Sequence, residues 1–139
     1  MIVDLQDRIE DKELSFDKNI KHHFSFTGNK TLIHILFYNL IVNAIKYNIP
    51  SGKIEIIDGF LEGKYFLSIA DSGVGMNVKQ QADIFKRFAR VNLDQEGQGL
   101  GLAIVESVAQ FHHIIIEIKS EINVGTTFLL LFPNESKPN

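Results

Sequence analysis

No cysteine occurs in the 139 residues, which removes disulfide staples, thiolate metal sites and thiol nucleophiles together and accords with a reducing compartment. A basic excess is missing too: 14 Lys and Arg stand against 17 Asp and Glu, a formal net charge of -3. That balance leaves no surplus cation to neutralise a phosphate backbone, so no nucleic acid is expected as partner. Long apolar runs are absent. The stretch 35–42 is interrupted by Asn39 and falls far short of the roughly 20 residues a membrane span needs. The opening Met-Ile-Val-Asp-Leu-Gln-Asp is acidic and lacks the basic and apolar regions of a signal peptide. Internal repeats and low-complexity tracts are lacking as well. The expectation is a soluble, cytoplasmic piece that makes no membrane contact itself. What is present, 45% hydrophobic and 22% charged residues, suits one globular domain with a single core.

Along the chain, Ile2, Leu5 and Ile9 recur at helical steps within residues 1–12, a short amphipathic helix read as the end of a preceding helical segment. Leu14 with Phe16, and Phe24 with Phe26, alternate with polar residues, which predicts two extended pieces separated by Asp17-Lys18-Asn19. Gly28-Asn29 breaks the chain. Residues 31–47 form the strongest helical pattern, with Leu32, Ile35, Leu36, Asn39, Leu40, Asn43 and Tyr47 at three- and four-residue steps, and Pro50-Ser51-Gly52 stops it. Residues 53–58 and 64–70 predict an antiparallel hairpin around a 59–63 loop. The stretch 76–98 is the least regular, with one short helix expected around Ile84, Phe85 and Phe88. Residues 99–111 predict a second helix, followed by strands at 114–119 and 126–132. The globular domain is thus placed at 13–133, with a polar tail at 134–139. Strands, helix, hairpin, helix and hairpin in that order argue an α+β sandwich: one mixed β-sheet with helices packed on one face.

Two glycine clusters are the first candidates for chemistry: Asp71-Ser72-Gly73-Val74-Gly75 and Gly97-Gln98-Gly99-Leu100-Gly101-Leu102. Glycine permits close backbone approach, and a helix that follows such a loop aims free N–H groups at an anion. Neither cluster has the G-x-G-x-x-G spacing, and Gly52-Lys53 lacks the hydroxyl residue of a P-loop. By spacing alone both remain open to a reading as ordinary turns. The preceding helix adds Asn39, Asn43, Lys46 and Tyr47 at i, i+4, i+7 and i+8, on one stripe that also carries apolar residues. Amides on such a stripe are costly to bury unless backbone groups or a ligand satisfy them. A carboxamide oxygen suits magnesium, and a lysine ammonium suits phosphate.

These residues resemble the catalytic and ATP-binding domain of sensor histidine kinases, of the gyrase, Hsp90, histidine kinase and MutL superfamily. The resemblance runs from about residue 14 to 133. Residues 39–47 are similar to the N box, 71–75 to the G1 box, 84–90 to the F box, 97–105 to the G2 box, and 120–133 to the closing strand pair. The resemblance implies a two-layer, Bergerat-type sandwich that binds ATP and Mg²⁺. By it, Asp71 accepts a hydrogen bond from the adenine amino group and Gly73 and Gly75 let the backbone lie against the base. Asn43 is the metal ligand, Asn39 and Lys46 support the phosphates, and Tyr47 packs near the nucleoside. Gly99, Leu100, Gly101 and Leu102 lie at the phosphates, Thr126 completes the adenine pocket, and the lid runs from Met76 to Gln98 with Met76, Arg87 and Arg90 as further contacts.

Where the superfamily's ATPases resemble one another in a Glu four residues before the magnesium Asn, this chain has Asn39. An amide takes no proton from water at neutral pH, so the resemblance implies transfer to histidine, whose neutral imidazole already carries a lone pair. That histidine, in a His-Glu/Asp-x-x-x-Pro type motif, belongs to a separate helical dimerisation domain, with a response regulator downstream. The alternative is a degenerate domain that holds nucleotide only to regulate its partner. None of the five histidines here has the acceptor context. His34 is expected to be partly buried in its helix, and His22-His23 and His112-His113 form no metal spacing. His113-Ile114 and Asn123 stand where the family favours glycine, and Gln98 where it favours Thr or Ser. Ile84, Phe85 and Phe88 are expected to pack both under the lid and against the dimerisation helices.

Overall fold

The computed structural model describes residues 2–83 and 98–134. Its elements are α1 (Ile2–Asp11), β1 (Ser15–Asn19), α2 (Lys30–Lys46), β2 (Lys53–Leu61), β3 (Lys64–Asp71), α3 (Val78–Asp83), α4 (Gln98–Phe111), β4 (Ile115–Glu121) and β5 (Gly125–Leu131). The five strands form one sheet in the order β1-β2-β3-β5-β4. β1 runs parallel to β2 and the other neighbours are antiparallel, so the sheet is mixed, as expected. Leu36, Leu40 and Ile45 of α2 and Val105 of α4 are fully buried against Ile54, Ile69, Phe128 and Leu130 of the sheet. That burial of apolar area is the main favourable term in the fold.

Helix α2 is held at both ends by side chains from elsewhere. Asn29 is its N-cap and accepts from the Leu32 N–H at 3.0 Å. At the other end Lys12 donates to the carbonyls of Ile45, Lys46 and Asn48 at 3.0, 2.9 and 3.0 Å, a cation where the helix dipole is negative. Helix α1 is tied to the domain by this contact. It closes in a Schellman turn, with Leu14 N–H to Ile9 O at 2.9 Å and Glu13 at φ 55.

Four expectations change. Asp17, Lys18 and Asn19 lie within β1, whose five side chains are all exposed; an edge strand paired by its backbone shows no alternation to read. The Phe24 and Phe26 segment forms no strand, although both rings pack on the core around Phe132. Strand β2 continues to Leu61, so the hairpin turn is Glu62-Gly63 at φ 52 and 83, a pair of positive angles that matches the strand twist. Gly59 sits inside that strand because the Phe66 ring fills the space a Cβ would take. His34 is exposed rather than partly buried.

His112 is the buried histidine. Its Nδ1 donates to Val108 O at 2.9 Å and its Nε2 accepts from Asn29 N–H at 2.9 Å, which joins the end of α4 to the start of α2. His113 follows at φ 59 as the left-handed residue of a Schellman turn, with Ile114 N–H to Ala109 O at 2.8 Å. Asn123 takes φ 67 in the β4–β5 turn, a conformation asparagine tolerates.

Candidate functional site

Strand β3 delivers Asp71 to the end of the sheet, opposite Ile54 and Thr126 on the neighbouring strands. Its Oδ1 accepts from the backbone N–H of Gly73 at 2.8 Å and of Thr126 at 3.2 Å. No bond falls on Oδ2 among the described residues. Burial raises the Asp71 carboxyl above the usual carboxylate range, and the two backbone donors only partly oppose it. The ionised group is fixed in place yet short of donors.

The loop after Asp71 is clamped on two sides. Val74 N–H donates to Tyr47 O at 3.1 Å, and a Cβ on Gly73 would stand 2.2 Å from the same carbonyl oxygen. On the other side Asn123 N–H donates to Val74 O at 2.8 Å, and a Cβ on Gly75, at φ 73, would stand 2.0 Å from Glu121 O. Met76 N–H donates to Ser120 Oγ at 2.8 Å, and that hydroxyl lies 2.7 Å from Thr126 Oγ1. Thr126 is buried, so its hydroxyl is part of a closed polar chain beneath the loop. Asn77 and Gln80 form a reciprocal capping box at 2.8 Å in both directions, which starts α3 inside the stretch read as irregular.

Helix α2 brings the amide stripe to a cavity of about 710 Å³ between α1, α2 and the start of α4. Asn39, Asn43, Lys46, Gly101 and Leu102 line it. Asn39 Nδ2 donates to Ile35 O at 2.8 Å, while its Oδ1 faces Gly101, where a Cβ would come within 3.1 Å. Asn43 makes no side-chain hydrogen bond among the described residues. Lys46 Nζ lies 5.7 Å from the centre of the Tyr47 ring. The Tyr47 hydroxyl is buried with no partner among the described residues, and burial raises its pKa.

Helix α4 begins at Gln98, so Gly99 and Leu100 lie in its first turn, where backbone N–H groups lack helical acceptors. Leu102 is four residues in, where the ladder engages the N–H, and its side chain is core. Arg87, Arg90, Ile84, Phe85, Phe88 and Gly97 lie outside the described residues. The sequence reading did not single out Ser120, Asn48, Lys12 or Arg8. Asn48 is buried, donates to Lys53 O at 3.1 Å and accepts from Ser72 Oγ at 3.1 Å; it had no sequence signal beyond its place after Lys46-Tyr47. Among the described residues no group of three His, Asp or Glu could hold a metal. The amide of Asn43, unpartnered among the described residues, offers a hard oxygen of the kind Mg²⁺ takes.

A mixed sheet with Asp71 at its end, beside a helix whose amides line a cavity, is an α+β sandwich. Residues 28–136 match the histidine kinase-, DNA gyrase B-, and HSP90-like ATPase family, and the chain belongs to that family as a catalytic and ATP-binding domain of the sensor histidine kinase type. It is similar to the heme sensor protein HssS of Staphylococcus saprophyticus, 39% identical over 113 residues that make up 81% of this chain and 25% of that protein. The chain spans about a quarter of the length of the curated relatives it matches. Among solved structures, the nucleotide-free catalytic domain of histidine kinase ThkA superposes with a TM-score of 0.79 at 25% identity, over 94% of this chain and 87% of that one. Full-length ShkA in complex with AMPPNP shares the fold with a TM-score of 0.79 at 22% identity, over 93% of this chain and 27% of that one.

Proposed function

We propose that this domain binds Mg²⁺·ATP and donates the γ-phosphoryl group to a histidine on a separate helical dimerisation domain of a sensor kinase, within a two-component pathway. The observation that carries it is the Asp71 carboxylate: one oxygen is locked by Gly73 and Thr126, and the other has no bond among the described residues. An amino group on a flat base supplies the donor that this oxygen lacks.

At the other end, Asn43 would hold Mg²⁺ through its amide oxygen, and bound Mg²⁺ would neutralise charge on the phosphate oxygens. Lys46 lines the same cavity, and the first turn of α4, which leads into its lining residue Gly101, adds the positive potential of a helix start. Asn39 spends its amide N–H on Ile35 O and offers no carboxylate to deprotonate a water. The domain orients ATP and leaves the nucleophile to its partner, a role of positioning and electrostatics.

Calorimetric titration of the chain with ATP, with and without Mg²⁺, tests this. Binding that strengthens with Mg²⁺ is expected, with that gain reduced in Asn43→Ala. Wild-type affinity in Asp71→Ala would sink the adenine assignment.

A further inference from the structure

The cavity beside Asn43 does not end at the amide stripe. It runs on to α1, where Arg8, Asp11 and Lys12 line it together with Lys46 and Gly101. Lys12 has all three ammonium donors engaged by the carbonyls of Ile45, Lys46 and Asn48 and has none left for a ligand. Arg8 is exposed, and its guanidinium makes no hydrogen bond or ion pair among the described residues, with Asp11 or any other group. A planar fork of five donors, always charged, thus lines this cavity, which Asp71 does not line.

Resting on the Mg²⁺·ATP reading above, we infer that Arg8 of α1 contacts the terminal phosphate and makes this site discriminate a nucleoside triphosphate from a diphosphate. The division of groups supports it. Asp71, Gly73 and Thr126, the proposed base end, do not line this cavity, whereas Asn43, Lys46, Gly101 and Arg8 do. Phosphates that follow a base held at Asp71 belong in this cavity, and among the described residues Arg8 is the lining cation with no hydrogen bond or ion pair to give up. Guanidinium pairs with phosphate in a bidentate geometry that lysine does not reproduce. Asp11 lies three residues from Arg8 and lines the same space; it repels bare phosphate but tolerates a metal-neutralised one. Lys12 fixes the end of α1 on α2 and so sets the position of Arg8.

The test is calorimetry on the wild-type chain, Arg8→Ala and Arg8→Lys with Mg²⁺ and either ADP or a non-hydrolysable ATP analogue. The inference expects Arg8→Ala to weaken the triphosphate about tenfold and ADP less than twofold. Arg8→Lys should recover only part of the loss, and the thermal midpoint without nucleotide should not move, because Arg8 is exposed. Equal losses for both nucleotides, or none for either while the wild type binds both, overturn the inference and leave the site reading standing. A wild-type chain that binds neither nucleotide overturns both.

Discussion

The carboxylate of Asp71 accepts the backbone N–H of Thr126 across 55 positions of sequence, at 3.2 Å, and so joins the end of β3 to the start of β5. Because burial raises the pKa of this acid, its charge costs stability at neutral pH: a raised acid stabilises the fold only below its unfolded pKa, and that contribution disappears as pH rises through the folded one. Asp71→Asn keeps an oxygen for Gly73 and Thr126 and removes the charge. It should melt no lower than wild type at pH 7 while binding ATP about 10–100-fold more weakly, the loss of a hydrogen bond to a charged group. Nucleotide affinity of the wild type should fall as pH drops through the raised Asp71 pKa, and the Asn variant should show a flatter profile by calorimetry.

Gly75 and Gly125 interlock the loop after Asp71 with the β4–β5 turn. A Cβ at either would stand 2.0 Å from a backbone oxygen, of Glu121 and Asp71 respectively, and both residues have positive φ. Gly75→Ala or Gly125→Ala should cost about 2–4 kcal/mol, left-handed strain plus overpacking. Urea unfolding measures the loss, and an unchanged midpoint contradicts the interlock.

His112→Phe keeps a flat ring but removes two hydrogen bonds of 2.9 Å; the Val108 carbonyl keeps the His112 backbone N–H at 3.2 Å, while the Asn29 N–H loses its acceptor. The loss should cost about 1–2 kcal/mol. Nucleotide affinity under folding conditions should stay within a factor of two, since His112 is remote from Asp71 and Asn43.

How much of this was legible depended on where the signal resides. Helix α2 and the β2–β3 hairpin were plain from periodicity because their buried faces repeat at 3.6 and 2 residues. Strand β1 hid Asp17 to Asn19 because an exposed edge needs only backbone pairing, and Gly59 resembled a turn residue although it serves a ring on the next strand. Of the candidate site, Asn39, Asn43, Lys46, Asp71, Gly73 and Gly75 are those the family resemblance picks out by motif order. Lys12, Arg8, Ser120 and Asn48 were not: Lys12 reaches carbonyls 33 or more positions away, Ser120 accepts from Met76 N–H 44 positions away, Asn48 bonds a turn and a loop that no local pattern specifies, and Arg8 has no partner among the described residues to mark it.

A second acid behaves in the opposite sense to Asp71. Burial alone would raise the Asp58 pKa, but it is held well below the usual carboxylate range by His22 Nδ1 at 2.9 Å, by Lys21 N–H at 2.9 Å, by the Tyr65 hydroxyl at 2.8 Å and by His22 N–H at 3.1 Å. A depressed acid stabilises the fold above its unfolded pKa and loses that contribution as pH falls through the carboxylate range toward the folded value. Asp58→Asn should therefore destabilise the domain at pH 7, and the two stability curves should converge on acidification. Parallel curves from pH 7 to pH 3 in urea melts contradict this.

The central claim is a site that hands phosphate to histidine rather than to water. The most direct measurement mixes this chain with the separately made dimerisation domain of its parent and ATP labelled at the γ-phosphate, then assays acid-labile protein phosphate against free phosphate. The account predicts label on the partner's histidine, absent with Asp71→Ala, and slow release of free phosphate without the partner. Tight ATP binding with no label transferred, the behaviour of a regulatory nucleotide holder, or brisk partner-independent hydrolysis would contradict it.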